Sequence, residues 1–197
     1  MKKAVKNVEI APMDIKKARI VLVGDSSLIV HAWSAKAKQE ILDKQMKKAQ
    51  QAKLAKDPDQ LFDDALYKMP DGTYGFPAVA FKSSAVDACS MVSDITKVSA
   101  RGAFHIAGDM IKLEYAQVNK REDMVRIGMG TADVRIRPEF INWHVTLDMR
   151  YNAGIISLEQ LRMLFETAGF SVGVGEWRPQ KDGSNGMFHV ESIDDLD

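Results

Sequence analysis

Phe140-Ile-Asn-Trp-His-Val-Thr-Leu-Asp-Met149 is the stretch that decides the fold, because apolar and polar residues alternate along most of its length. A period of two is typical of a β-strand with one buried and one solvated face. Further along, Ser157 and Gln160 have the spacing of a capping box at the start of a helix, and apolar residues follow at helical spacing. We predict that this helix ends at Gly169, where a left-handed residue would stop it.

A glycine-rich segment, residues 173–186, follows the predicted helix and leads into a short strand-like run; it is called the glycine loop below. Because glycine allows a ligand to approach the backbone closely, the N–H groups of such a loop can hold phosphates, with nearby cationic side chains adding charge. The alternative is a structural loop whose glycines satisfy turn geometry and whose tryptophan fills the core. The candidate binding residues in this segment are Gly173, Gly175, Trp177, Arg178 and Lys181.

The remainder of the chain is predicted to mix strands and helices. Residues 1–18 form a polar lead-in, and a bulge or hairpin is expected at Gly24-Asp25. The predicted strands are 19–23, 27–30, 103–118 and 124–137, with a charged turn at 119–123 between the last two. The predicted helices are 35–55 and 79–92, with a short helical turn at 59–67.

Composition limits the possible classes of function. The chain has 197 residues, of which 46% are hydrophobic and 27% charged, as in ordinary globular proteins. Its formal net charge is zero, which argues against binding nucleic acid through overall charge alone. The single cysteine cannot form an internal disulfide, and no Cys/His cluster indicates zinc. With no apolar signal region or membrane-length run, we expect a cytoplasmic protein.

Two segments resemble the repeat-associated mysterious protein (RAMP) superfamily: 71–85, in which a proline precedes a helix that bears Lys82, and the glycine-rich 173–188. The layout is similar to that of the backbone subunits of CRISPR effector complexes, and a phage origin is possible. The resemblance implies an α+β fold with a ferredoxin-like (RRM-like) antiparallel sheet, helices on one face and a helical insertion after the first strand. We therefore expect one domain over 1–197, with its core at 19–33 and 71–190, a Lys-rich insertion at 34–70 and an acidic tail at 191–197.

The resemblance also implies a function, namely binding of single-stranded RNA or DNA by a protein that self-assembles, with other effector-complex subunits as possible partners. Residues 36–56 contain seven lysines, which are either a solvated helix face or a nucleic-acid contact. Arg135 and Arg137 share a face of their predicted strand, where they are either solvent-exposed or phosphate contacts. Beyond the glycine loop, the candidate nucleic-acid-binding residues are Lys36, Lys44, Lys47, Lys48, Lys82, Arg135 and Arg137.

The sequence contains few candidate catalytic residues. His31 and the tandem acids Asp63 and Asp64 are the residues considered for RNA cleavage or metal-assisted cleavage, but no partner for them can be assigned. The sequence also has no Walker loop, dinucleotide fingerprint, GxSxG or HExxH motif. We predict a protein that is not an enzyme and uses no cofactor or metal. The alternatives are a phage structural or interaction protein that mimics a CRISPR subunit and binds only protein, and an RNA endonuclease.

Overall fold

The computed structural model of the chain describes residues 12–48, 57–128 and 130–197. The strands are β1 (Ile15–Gly24), β2 (Leu28–Ile29), β3 (Gly75–Pro77), β4 (Phe104–Ile106), β5 (Met110–Lys112), β6 (Gln117–Ile127), β7 (Thr131–Ile141), β8 (His144–Asn152) and β9 (Phe188–Asp195). The helices are α1 (Ala35–Gln45), α2 (Pro58–Asp64), α3 (Ala78–Ala88), α4 (Lys97–Ala103) and α5 (Leu158–Ser171). This mixture of helices and antiparallel strands confirms the α+β prediction.

The main sheet has the strand order β4-β8-β1-β9, and each neighbouring pair is antiparallel. Ile20 of β1 and Leu147 of β8 face each other in the register and are fully buried. Phe81 of α3 and Phe165 of α5 are fully buried in the same apolar cluster, so these two helices cover one face of the sheet. The other face is polar and includes exposed Asp148, as the alternation along β8 predicts.

A second sheet has the strand order β2-β7-β6. The short strands β3 and β5 pair with each other in a separate two-stranded sheet. Strands β6 and β7 form a long hairpin that pairs from Gln117 with Ile141 to Ile127 with Thr131. Strands β7 and β8 follow each other directly, separated by Asn142, whose φ of 49° is left-handed, and by Trp143. The alternating stretch 140–149 is therefore divided between two sheets and is not one strand.

Three predictions about the first half of the chain are wrong. Strand β1 begins at Ile15, inside the predicted lead-in, and its residues Lys16 and Lys17 pair with β8. No hairpin forms at Gly24-Asp25: the chain crosses to the second sheet, where β2 pairs with β7. Helix α1 ends at Gln45, well before residue 55, and the rest of the predicted helix lies partly in 49–56, outside the described residues.

The charged segment 119–123 was predicted to be a turn, but it lies within β6. Two of its charged residues form ion pairs with β7: Arg121 contacts Glu139, and Asp123 contacts Arg137. Alternating charged residues with partners on the neighbouring strand are compatible with a sheet, which is why the turn prediction failed. Helix α4 was also missed, although Thr96 caps it by accepting from the Ser99 N–H.

The capping box of α5 is confirmed, but the predicted end of this helix at Gly169 is wrong. The helix continues to Ser171, and the left-handed residue is Gly173, with φ of 68° and an N–H bond of 2.8 Å to the Ala168 carbonyl. Gly169 serves another purpose, since a Cβ atom there would lie 1.7 Å from the Phe188 carbonyl oxygen. Its hydrogen side chain lets β9 pack directly against the helix backbone.

Candidate nucleic-acid interface

The glycine loop packs along β2 and does not project into solvent. The Glu176 N–H donates to the Ile29 carbonyl at 2.9 Å, and the Gly186 N–H donates to the Ser27 carbonyl at 2.8 Å. Strand β2 is itself paired with β7, so the loop lies beside the β6–β7 hairpin. The predicted loop residues and the Arg135/Arg137 strand are thereby brought together.

Gly173 and Gly175 are required by the packing of the loop itself. Both have left-handed backbones, with φ of 68° and 78°. A Cβ at Gly173 would lie 2.7 Å from Pro179 Cδ, and one at Gly175 would lie 2.5 Å from the Ile29 carbonyl oxygen. These contacts account for both glycines without a ligand, so their part in nucleic-acid binding stays a prediction.

The two cationic side chains of the loop differ in availability. The Arg178 guanidinium donates to the Gly175 carbonyl at 3.0 Å and to Gln180 Oε1 at 3.1 Å, so it braces the loop. Lys181 is exposed, and the structure gives it no ion-pair partner among the residues it describes. Of the pair, Lys181 has the free charge that a phosphate contact needs.

A network of ion pairs around buried Arg137 and Asp123 joins the hairpin to the loop. Arg137 is 9% exposed and Asp123 is 8% exposed, and the Arg137 guanidinium lies 3.2 Å from the Asp123 carboxylate and 3.5 Å from that of Glu176. Asp123 also accepts from Arg121 at 2.8 Å and from the Trp177 indole N–H at 3.3 Å. Burial alone raises the pKa of Asp123, but these hydrogen bonds outweigh it and hold the pKa below its usual value.

His31 and Arg135 lie at the edge of this network. Arg135 shares the face of Arg137, as predicted, and its Nε is 3.3 Å from Asp133 Oδ2 without the geometry of a hydrogen bond. Burial, reinforced by the charges of Arg137 and Arg135, lowers the pKa of His31. Its buried Nδ1 has no hydrogen-bond partner among the described residues.

Helix α1 carries the predicted lysines on a lightly packed element. It begins at the Ser34 cap, and its apolar residues Ile41 and Leu42 are 41% and 50% exposed. Lys48 pairs with Asp43 at 3.0 Å. The exposed lysines of this region that have no ion-pair partner within the described residues include Lys36, Lys44 and Lys47.

Lys82 is the candidate on α3. Its ammonium is 3.0 Å from His105 Nδ1 and lies over the Phe104 ring, in a groove of about 470 Å³ beside Arg101. Residues 104 and 105 belong to β4, at the edge of the main sheet opposite β9, into which the glycine loop leads. Burial lowers the pKa of Lys82. The same groove includes Asp87, whose carboxylate accepts from the Gln180 amide of the glycine loop at 2.9 Å.

The acids considered for catalysis have ordinary surface partners. Asp63 lies 2.6 Å from the Lys68 ammonium, and Asp64 accepts from Gln60. Within 12–48, 57–128 and 130–197, no three His, Cys, Asp or Glu side chains converge as metal ligands would. The same residues contain no helix that is long and apolar enough to cross a membrane.

One residue of this region was missed by the sequence reasoning. Trp33 is 58% exposed and lies directly before the Ser34 cap of α1. The signal available in the sequence was a large aromatic residue between a strand and a lysine-rich helix. The sequence patterns assign Trp33 neither to the strand nor to the helix.

Comparisons with known proteins identify the fold and nothing finer. No protein-family model matches the sequence, and no curated protein is similar to it. The fold does have a relative of known structure. It is similar to a chain in the cryo-EM structure of the type III-B Cmr-beta bound to cognate target RNA, with a TM-score of 0.54 and 8% sequence identity. The similarity covers 92% of this chain and 60% of that one, so this chain spans about three fifths of its neighbour.

Proposed function

We propose that the protein binds single-stranded nucleic acid, RNA or DNA, and that it is a non-catalytic, self-assembling member of the RAMP-like proteins that build CRISPR effector complexes. The observation that carries the proposal is the similarity of its fold, over 92% of the chain, to a chain of an RNA-bound assembly. The RNA in that structure is bound by the neighbour's complex. The strand order and the charges of this chain give the proposal further support.

The strand order supports a ferredoxin-like (RRM-like) core. Strand β1, helix α3, strands β4 and β8, helix α5 and strand β9 follow one another in the chain, and the sheet order β4-β8-β1-β9 is the one such a βαββαβ core has. Helices α1 and α2 form the insertion after the first strand. The β6–β7 hairpin is a second insertion, between β4 and β8.

Local charge supports a path for a polyanion despite the zero net charge. Lys36, Lys44 and Lys47 on and after α1, and Lys181 in the glycine loop, are exposed. Nucleic-acid affinity comes largely from such phosphate contacts, each of which releases a counterion. The contacts of the candidate catalytic residues support a non-enzymatic role, since Asp63 is paired with Lys68 and His31 is partly buried.

The test is a binding titration followed by anisotropy, with labelled single-stranded RNA and DNA of a few tens of nucleotides and with the matching duplexes. We expect tighter binding to the single strands, affinity that falls as salt rises, and intact oligonucleotides after incubation with Mg²⁺ or Mn²⁺. Binding that does not respond to salt, or no binding at low salt, would contradict the proposal. Cleavage that His31→Ala abolishes would instead indicate the endonuclease.

A role in binding protein alone is the second candidate, and exposed apolar side chains favour it. Val98 of α4 and Phe170 of α5 are 76% and 73% exposed, and Met91 between α3 and α4 is 61% exposed. Such side chains are common at interfaces when they form a contiguous patch. Absence of nucleic-acid binding in the titration above is the result that this candidate requires.

A further inference from the structure

Two of the three tryptophans are exposed: Trp177 lies in the glycine loop, and Trp33 lies four residues after Ile29, whose carbonyl accepts from the Glu176 N–H of that loop. Trp143 is fully buried in the core, whereas Trp33 is 58% and Trp177 is 40% exposed. Trp177 therefore does not fill the core, as the structural interpretation of the loop supposed. Exposing an indole sacrifices the free energy of burying a large apolar surface, so two exposed indoles on segments that are hydrogen-bonded to each other suggest a ligand.

Trp177 is held in its exposed position from several sides. Its backbone is left-handed, with φ of 52°, a conformation that is unfavourable for a bulky residue unless surrounding contacts impose it. The Asn185 N–H donates to its carbonyl at 3.0 Å, and its indole N–H donates to buried Asp123 at 3.3 Å. An indole has only this one donor, so the Trp177 ring has no edge group left to read a base.

Trp33 is presented by a segment that is bonded to the same structures. The Val30 N–H donates to the Pro138 carbonyl at 3.0 Å, and the Ala32 N–H donates to the Ala65 carbonyl at 2.8 Å. The Glu176 N–H bond to Ile29 ties this segment to the residue next to Trp177. An exposed cation follows each of these tryptophans in the chain: Lys36 is three residues after Trp33, and Lys181 is four residues after Trp177.

We propose that Trp33 and Trp177 form a stacking platform on which bases of a single strand lie, while Lys36 and Lys181 contact the adjoining phosphates. This rests on the proposed function and adds its mode of recognition. Stacking on aromatic faces between cations holds single strands with little sequence preference, because every base has a π-face. The indole N–H of Trp177 already donates to Asp123 and cannot select one base over another, which adds to that tolerance. The open polar face of the main sheet is not part of the platform.

The test compares an oligo(dT) strand with an abasic strand of the same length and charge. Anisotropy of a label on the strand reports binding, and tryptophan emission of the protein reports stacking. We expect oligo(dT) to quench the emission and the abasic strand to bind more weakly without quenching. Trp33→Leu and Trp177→Leu should each weaken oligo(dT) binding by about 5- to 150-fold, which corresponds to one stacked base, and should leave abasic binding unchanged.

Phe170→Leu, which changes an exposed aromatic residue outside the platform, is the matched control and should affect neither strand. Trp177→Phe keeps an aromatic face and should lose less affinity than Trp177→Leu, which keeps the comparison valid if the leucine variant unfolds. Oligo(dT) binding without quenching, or equal losses for the two strands in the variants, would overturn the platform and leave the proposed function standing. No binding of either strand by the unchanged protein would overturn the proposed function itself.

Discussion

Arg137 shows how a residue chosen for one role has a second role that the sequence does not reveal. It is nine-tenths buried and lies between Asp123 of β6 and Glu176 of the glycine loop. The period of two correctly placed it beside Arg135. It could not show that the opposing strand and a loop forty residues away supply carboxylates, because ion pairing depends on contacts that only the folded chain creates.

Replacing Arg137 by Met should destabilise the protein strongly. The substitution removes the partner that β7 supplies to buried Asp123, which still accepts from Arg121, and breaking a buried ion pair from one side costs about 3–5 kcal/mol. Urea unfolding followed by circular dichroism measures the loss. Arg126→Met, an exposed arginine on the same hairpin, is the control and should change the free energy of unfolding by less than about 0.5 kcal/mol. Equal urea unfolding midpoints for Arg137→Met and Arg126→Met would contradict a structural role for the Arg137–Asp123 ion pair.

His189 should make stability depend on pH. Its hydrogen bond of 2.6 Å to Asp25, assisted by Glu191, raises the pKa of His189 above its ordinary value of about 6.5. The stabilisation is fully present below that ordinary pKa and is lost as pH rises through the raised pKa of the folded state. Asp25→Asn should lower the pKa of His189, measured by NMR titration of the imidazole protons. Glu191→Gln should lower it less, and an unchanged titration in Asp25→Asn would rule out this coupling.

At the scale of elements, the strongest local signals were the most reliable. The capping box located the start of α5, and the apolar period located α3 and the centre of β8. Failures occurred where a long-range contact decided the outcome. The charged residues of β6 resemble a turn until their partners on β7 are known, and Gly169 resembles a helix end until β9 is seen against it.

Gly169→Ala should destabilise the protein although alanine is the better helix former. An added Cβ would meet the Phe188 carbonyl oxygen at 1.7 Å, so β9 or α5 must shift. Such overpacking costs roughly 1–3 kcal/mol or more, against a propensity gain of about 1 kcal/mol. Gly102→Ala in α4 is the control, because a Cβ there meets nothing within 4 Å, and it should be neutral or stabilising in the same urea titration. Stabilisation by Gly169→Ala would show that α5 and β9 are further apart.

The lysines of α1 should contribute to affinity and not to stability. Lys36→Gln and Lys44→Gln each remove an exposed charge, so each should reduce the slope of log affinity against log salt by about 0.7 for a single strand. The melting temperature should not change, since neither side chain has a described ion-pair partner. Lys112→Gln, on the separate β3–β5 pair, should leave the slope unaltered. An unchanged slope in all three variants would assign α1 to a solvated surface or a protein contact.

At the scale of the whole molecule, the sequence predicted an α+β class of fold, and the structure confirms it. The solved structure that this chain resembles shares the fold alone. Site prediction was harder, since segments far apart in the chain converge only through β2. Ile29, for example, supplies the carbonyl that anchors the glycine loop, and nothing in its sequence context indicates this role. Net charge was also uninformative, because a chain with zero total charge still has exposed lysines concentrated on one helix.

Self-assembly should be visible in the mass of the particle. Native mass spectrometry of the purified chain with added single strand should give multiples of 21.9 kDa plus the strand, with longer strands holding more copies. The control is the same strand as a duplex, which should recruit fewer copies. A single protein copy on strands of every length would contradict assembly along nucleic acid while leaving binding intact.

Strand β9 lies at the edge of the main sheet among the described strands, and it ends in a run of carboxylates. An unpaired edge is a template for uncontrolled strand addition between molecules, and like charges along it repel an identical edge. We therefore expect the carboxylates of Glu191, Asp194 and Asp195 to oppose aggregation through this edge. The practical consequence is for solubility: neutralising these three side chains should leave the fold intact and make concentrated solutions scatter light, and ordered association must use surfaces other than this edge.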